Sequence, residues 1–566
     1  QNVTDIDDKI IKRARTNYLF DNYKKEQRSA EAIAEDVMAA MGLHQDRIAA
    51  AATDPDKHKM LLEQLNKVHV SAAALQQVRA AGGKVQEAGE QLLTSAEAVL
   101  GEWLDREKGS TVTDNSLFMD LPRRFEQEYN DDMARLNVLP PDVVTRVSEY
   151  VPEIVRFVQQ IIDNGYAYDS NGSVYFDVAK FDAQPNHYYA KLVPEAYGNQ
   201  SALQEGEGDL SVGADTLSEK RSPNDFALWK NSKPGEPAWP SPWGQGRPGW
   251  HIECSAMAGE ILGSKIDIHS GGVDLKFPHH DNELAQSEAH YQCQQWISYF
   301  LHTGHLHIDG CKMSKSLKNF ISIGDALKDN TAAQLRVAFL LHQWKDTLDY
   351  SSNTMEGARQ YLKMVSEFGL TVCDLSRRCP NSSNVWTNNE RLLNTAFDGA
   401  RSSVHKALCD NIDTRSSLDH LRDLISEANK YMNANTKVNE QLVRNIHAFV
   451  KRILTTFGVP LSNNDNGQQS AEGSSLLVPL CQVVADVREQ LRSLAREDTT
   501  DVKQLQVKQL QLCDDIRDVL LPPLGVRLED KEGRPPSIKL VDPDELRKEI
   551  EAKKAAEEAK RAEKQK

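Results

Sequence analysis

Gly249-Trp-His-Ile-Glu-Cys-Ser-Ala-Met257 and, a little further on, His269-Ser-Gly-Gly-Val-Asp-Leu-Lys-Phe-Pro-His-His-Asp-Asn-Glu-Leu-Ala-Gln-Ser287 hold the densest run of chemically capable side chains in this sequence. Ile266-Asp-Ile-His269 reads as a short buried strand, ended by Ser270-Gly271-Gly272. Pro278 suits the first turn of a helix. From here to about Ile323 strands alternate with helices, the pattern of a parallel α/β sheet. His279 and Glu283 are four apart and so leave one helical face together. Imidazole and carboxylate at that spacing can hold a zinc ion, and Cys254 would add a thiolate. Taken alone, a His and a Glu four apart mostly mark a solvated face, so spacing raises the metal without showing it.

Upstream, Tyr166-Ala-Tyr-Asp-Ser-Asn-Gly-Ser-Val-Tyr-Phe176 predicts a hairpin turning at Asn171-Gly172. Gly and Pro are dense from Pro234 to Gly249, as in a loop wrapped over a site. Thr4-Asp-Ile-Asp-Asp8 places polar caps and acidic residues before an amphipathic run from Lys9 to Phe20, a helix start. Residues from about Lys24 to Arg106 are rich in Ala, Gln, Glu and Lys with helical periodicity, as in an inserted helical region. Asn137-Val-Leu-Pro-Pro-Asp142 marks a turn, and a helix is expected from Val143 to Asn164.

Downstream, Leu306-His-Ile308 reads as a strand and Gly310 as a turn before Cys311-Lys-Met-Ser-Lys-Ser-Leu-Lys-Asn-Phe320. Two lysines on such a loop, Lys312 and Lys315, can reach a triphosphate and offset the charge growing on a departing pyrophosphate. Five residues of Lys, Met and Ser also suit an ordinary solvated loop. After Asp349 the pattern is helical, with a polar break at Ser462 to Gly473, and the Lys- and Glu-rich tail from Asp544 lacks an apolar stripe. The expected division is 1–23, the remnant of a first half of the α/β part; 24–142, a helical insertion; 143–350, the main α/β part; 351–530, a helical region; and 531–566, a charged tail.

The 566 residues carry a net charge of −16, which argues against nucleic-acid binding except through local basic patches. Eight cysteines without a CxxC pair do not form a disulfide framework, and a reducing, intracellular compartment is the simpler reading. No apolar run is long enough to cross a bilayer, so no membrane partner is expected. Gln1-Asn-Val reads like a strand already in progress, and a truncated beginning is expected.

The block from Gly249 to Ser287 resembles the zinc-site block of cysteinyl-tRNA synthetases, and Lys312-Met-Ser-Lys-Ser316 matches the signature loop of class I aminoacyl-tRNA synthetases. The likeness covers nearly the entire chain and is densest from Arg221 to Ser352. It implies that Cys254, His279 and Glu283 bind one zinc ion, with a fourth cysteine ligand expected in a segment before Gln1. It implies that Trp250 and His269 line the substrate side-chain pocket and that Thr4 lies beside the amino acid. Lys315 would contact phosphate with Lys312 assisting, and Gly272-Val-Asp274 resembles the segment that holds the adenosine ribose. The family's His-x-Gly-His element is not found early in the chain. The long insertion and the Lys-rich tail resemble the eukaryotic cytosolic form, which implies a cytoplasmic protein.

The resemblance therefore implies a class I, Rossmann-like parallel sheet, incomplete at its N-terminus, with a helical insertion and a C-terminal all-α bundle for tRNA. The expected substrates are L-cysteine, ATP with Mg2+ and cysteine tRNA, joined through cysteinyl-adenylate. Protein partners through the helical regions stay open. The alternative is a truncated, inactive form that still binds tRNA or protein. A ligase passing activated cysteine to a small amine is disfavoured by the large helical module.

Overall fold

In the computed structural model the chain is described at residues 1–52, 55–207, 218–308, 310–313, 320–378, 386–435 and 437–461, and over 481–564 apart from 482–483, 486–487, 490, 493–505, 508–509, 511–512 and 532–533. It forms two compact units, one of Gln1–Ala326 with Lys345–Tyr350, the other of Leu327–Trp344 with Ser351–Lys566. Among the described residues no helix is long and apolar enough to cross a membrane.

The first unit opens with strand β1 (Asn2–Val3) and helix α1 (Asp8–Lys25). Asp7 caps α1 by accepting from the Lys9 amide at 2.8 Å, and Lys24 and Lys25 sit at its negative end. Helices α2 (Ala30–Ala50), α3 (Pro55–Ala80), α4 (Val85–Ser95) and α5 (Glu97–Lys108) follow and bury Ile33, Val37, Leu92, Val99 and Leu100 among themselves. Two glycines let these helices close up. A Cβ on Gly89 would lie 2.7 Å from that of Ala30, and one on Gly101 would lie 2.8 Å from Thr16. Helix α6 (Ser116–Arg135) completes this region.

The helix expected from Val143 begins later. Strand β2 (Thr145–Arg146) comes first and pairs in parallel with β1, and α7 (Val151–Asp163) starts beside Pro152. Pairing with Asn2 and Val3 holds Thr145 and Arg146 extended, a long-range demand invisible in local periodicity.

Strands β3 (Ala167–Ser170) and β4 (Ser173–Phe176) form the expected hairpin, with Asn171 and Gly172 at φ of 54° and 82°. Positive φ at both turn positions matches the right-handed twist of the strands. They continue into a five-stranded antiparallel sheet with β5 (Phe226–Asn231), β6 (Trp239–Ser241) and β7 (Gly244–Pro248), in the order β3-β4-β5-β7-β6. The Gly- and Pro-rich segment read as a wrapping loop is therefore largely a sheet edge. Gly246 is needed there because a Cβ would lie 2.3 Å from the Trp229 indole nitrogen.

The α/β part contains α8 (Trp250–Leu262), β8 (Ile266–Gly272), α9 (Asp281–Tyr291) and β9 (Ile297–Thr303), with β8 and β9 parallel. Strand β8 is not the buried strand expected: Ile268 is 58 % exposed and its neighbour on β9, Tyr299, 70 %. Strand β10 (Leu306–Ile308) pairs with β11 (Cys311–Lys312) and, in parallel, with β12 (Leu348–Tyr350). Parallel pairing thus recurs along the unit, as in an α/β fold.

In the second unit, α10 (Ala332–Leu340) carries a capping box of Thr331 and Gln334. Helices α11 (Ser352–Arg378), α12 (Asn388–Cys409), α13 (Thr414–Ala434) and α14 (Glu440–Thr456) pack through apolar stripes, such as Met355, Ala358, Tyr361, Val365, Phe368 and Val372 on α11. A hairpin of β13 (Val526–Lys531) and β14 (Arg534–Leu540), absent from the sequence reading, docks on α11, where Lys539 pairs with Glu367 at 2.8 Å. The charged tail forms helix α15 (Pro543–Lys564), anchored by buried Leu546.

Candidate functional site

Helix α8 begins at Gly249, where a Cβ would lie 2.1 Å from the Ala227 carbonyl oxygen. The first turns of α8 thus lie hard against β5 and present Trp250, His251, Glu253 and Cys254 in order. The turn Lys276–His280 runs into α9 and carries His279 one helical turn ahead of Glu283. The two helices pack together and bring these side chains to one point.

There Cys254 Sγ lies 3.4 Å from His279 Nε2, and His279 Nε2 lies 2.9 Å from Glu283 Oε1. The three donor atoms all fall within 4.8 Å of one another. The other imidazole nitrogen of His279 faces His251 Nδ1 at 2.9 Å, and His251 is 3 % exposed. A buried partner on one nitrogen fixes the ring and leaves Nε2 free to face the cluster. His269 Nε2 donates to Glu283 Oε2 at 2.9 Å. His269, His280 and Glu283 make a second, overlapping donor group, and His280 Nδ1 meets His302 Nε2 at 2.8 Å.

Burial would raise the Glu283 carboxyl, but the charge of His279 and hydrogen bonds from His269 and His279 hold it well below the usual range. Burial pushes His280 down to about 3 and His251 well below its ordinary value. Burial, reinforced by Glu283 and Glu253, pushes the Cys254 thiol up. For His269, burial is outweighed by its bond to Glu283, and its pKa is raised. The site is a carboxylate kept ionised among imidazoles, beside a thiol that stays protonated without a positive charge to bind it.

A cavity of about 480 Å³ opens onto this cluster, lined by Asn2, Cys254, Met257, Ile268, His269 and Glu283 among others. Trp250 packs against the cluster, its ring tilted 33° to that of His279 with centroids 4.4 Å apart. Thr4 lies in a neighbouring cavity with Asn2, Lys9 and Arg13. The region around Thr4 is braced. Asp5 accepts from the Ser148 amide at 3.0 Å, and Asp8 pairs with Arg247 at 2.9 Å. Gly272 ends β8 under the Asp274 carboxylate, which a Cβ would meet at 2.4 Å. Lys312 closes β11 opposite His307. Lys315 falls in 314–319, outside the described residues.

Cys254, His279, Glu283 and His269 are therefore brought together, with Trp250 against them, while Thr4, Gly272, Asp274 and Lys312 lie elsewhere in the unit. The sequence reading passed over His251, His280, His302 and Asn2. The two residues beside His279 and Cys254 stood in the same motifs, but nothing local marked His302 or Asn2.

The family described as tRNA synthetases class I (C) catalytic domain matches residues 1–360. Among relatives, the cytoplasmic cysteine--tRNA ligase of Mus musculus is 55 % identical over 571 residues, covering 98 % of this chain and 68 % of that protein. That of Gallus gallus is 54 % identical, covering 97 % and 75 %. The chain belongs to the cysteine--tRNA ligase family of class I synthetases. Among solved structures, a methionyl-tRNA synthetase of Mycobacterium tuberculosis bound by methionyl-adenylate is 14 % identical, with a TM-score of 0.42 over 63 % of this chain and 79 % of that one, too slight a likeness to argue from.

Proposed function

We propose that this chain is a cytoplasmic enzyme that charges cysteine tRNA with L-cysteine, activating the amino acid with ATP and Mg2+ as cysteinyl-adenylate and selecting it through a zinc ion held by Cys254, His279 and Glu283. The observation that carries the metal reading is the convergence of the three donor atoms within 4.8 Å of one another, at the wall of a cavity that Cys254 and Glu283 line. The donor set fits: thiolate, imidazole and carboxylate are the ligands zinc takes. Tetrahedral bonds of about 2.3 Å to sulfur and about 2.0 Å to nitrogen set those atoms about 3.5 Å apart, close to the 3.4 Å between Cys254 and His279. Glu283 Oε1 is buried and faces His279 Nε2 at 2.9 Å, so one cation between them would meet both donor atoms.

Zinc bound there supplies a Lewis-acid seat that favours a thiol over the hydroxyl of serine, where shape alone separates the two poorly. The chain's own groups do the rest. His251 holds the His279 ring in place, and His269 holds the second oxygen of Glu283, leaving the first for the ion. His269 and Trp250 are proposed to border the substrate side chain, and Thr4 to lie beside the amino acid. Gly272 and Asp274 are proposed to seat the ribose, and Lys315, assisted by Lys312, to offset charge on the pyrophosphate as it leaves.

Residues 24–142 are proposed as the helical insertion, 143–350 as the main catalytic fold and 351–530 as the stem-contact and anticodon-binding region. Nothing in the described residues favours an inactive binding protein. The test is metal analysis of the purified chain with and without Cys254→Ala. One zinc per chain, lost in the variant, is expected, and full zinc in the variant refutes the assignment.

A further inference from the structure

We infer that Asn2 is a positioning residue for the Cys254 sulfur, its side-chain amide donating a hydrogen bond that aims the thiolate at His279 and Glu283. This inference rests on the metal reading above. Asn2 Nδ2 lies 3.2 Å from Cys254 Sγ, on a strand 252 residues away in the chain. The same sulfur lies 3.4 Å from His279 Nε2, so it is bracketed between an amide from β1 and an imidazole from the turn before α9. Asn2 and Cys254 both line the cavity that His269 and Glu283 also line.

The chemistry favours this donor. A thiolate only accepts hydrogen bonds, so the amide end of Asn2 is the end that fits. The sulfur is otherwise flanked by the Glu283 carboxylate, and Asn2 offers donors without adding charge. A cysteine side chain has a single rotor about χ1, and a second contact on the sulfur removes its freedom to swing from the cluster. Asn2 itself is held by backbone pairing: it stands opposite Thr145, and the Thr145 amide donates to the Gln1 carbonyl at 3.0 Å. Strand β1 is thus a wing of the site. Groups that orient metal ligands in this way carry a large share of metal affinity.

The probe is Co2+, which reports a thiolate ligand through a sulfur-to-metal charge-transfer band. Asn2→Leu keeps the branched shape and removes the donor. It is expected to weaken Co2+ binding roughly tenfold. It should also move the band to longer wavelength, because a sulfur without its hydrogen bond holds its lone pair at higher energy. Asn2→Ser, too short to reach the sulfur, should shift the band the same way, and Asn2→Gln should recover part of it. Asn2 is exposed, so far-UV circular dichroism should be unchanged in all three. Cys254→Ala should abolish the band. A wild-type chain that takes up no Co2+, or a band that survives Cys254→Ala, overturns the metal reading and this inference with it. A wild-type band that Asn2→Leu and Asn2→Ser both leave unmoved, at unchanged affinity, overturns this inference alone.

Discussion

Cys254 illustrates how a residue's role depends on its company. Alone it would be one of eight ordinary cysteines in a chain without a disulfide pattern. Beside His279 Nε2 and Glu283 it becomes a metal donor whose thiol, pushed up by burial and two carboxylates, ionises when a cation compensates it. Cys254→Ala should therefore raise the Michaelis constant for cysteine more than it lowers the turnover number, in step with zinc loss. Steady-state kinetics with parallel metal analysis checks this, and unchanged cysteine binding at full zinc contradicts it. Lys315→Ala should act on rate instead. The charge it offsets develops as pyrophosphate leaves, so cysteine-dependent ATP–pyrophosphate exchange should slow by about 2–4 kcal/mol of barrier with zinc content unchanged. An exchange rate equal to wild type would mark the loop as an ordinary surface loop.

At the scale of elements, the β3–β4 turn and helix α9 offer separate tests. Gly172 sits at φ 82°, and a Cβ there would also lie 3.3 Å from the Trp243 carbonyl oxygen. Gly172→Ala should cost about 1–2 kcal/mol, measured by denaturant unfolding, because an L side chain resists the left-handed region. A variant as stable as wild type would show the turn to be slack. On α9, burial lifts the Glu288 carboxyl to about 7, although Lys191 reaches it at 2.6 Å and partly offsets the rise. The unfolded carboxyl titrates near its model-peptide value of about 4.3. Between these two values the native state binds the extra proton, so this group's contribution makes stability fall as pH rises from about 4.3 to about 7. Glu288→Gln should flatten that part of the profile, read as the difference between wild-type and variant melting curves across pH. A difference that does not vary over this window would mean that Glu288 is no better charged unfolded than folded.

Across the whole molecule the charge is −16, yet its family acts on tRNA. An acidic total and a polyanionic partner are reconciled only by local basic surface, because binding that neutralises phosphates releases counterions. Cysteine tRNA affinity should therefore fall with added salt, by more than about tenfold between roughly 50 and 200 mM. Filter binding or fluorescence titration measures the slope. An affinity indifferent to salt would leave the proposed tRNA surface without its electrostatic basis. Each unit has the core to support such a role, the first around Phe176, Trp229 and Ile252, the second around the stripes of α11, α13 and α14.

Local sequence was sufficient wherever the physics is local. The cap at Asp7, the hairpin at Asn171-Gly172 and the pairing of His279 with Glu283 depend on neighbours within a few residues, so composition and spacing make them legible. The family likeness was equally legible, because its motifs are contiguous. Tertiary structure alone decided the rest. Whether Gly244–Pro248 is loop or strand depends on β5 lying beside it, and whether Thr145 is helical depends on Asn2 pairing with it. Strand β8 looked buried by its isoleucines, but exposure is set by what packs over a face, which no strand encodes in itself. The meeting of Asn2 with Cys254 and of His280 with His302 spans separations that no periodicity reaches. Hydrogen bonds and burial act over a few ångströms in space, and only the folded chain turns distance in sequence into distance in space.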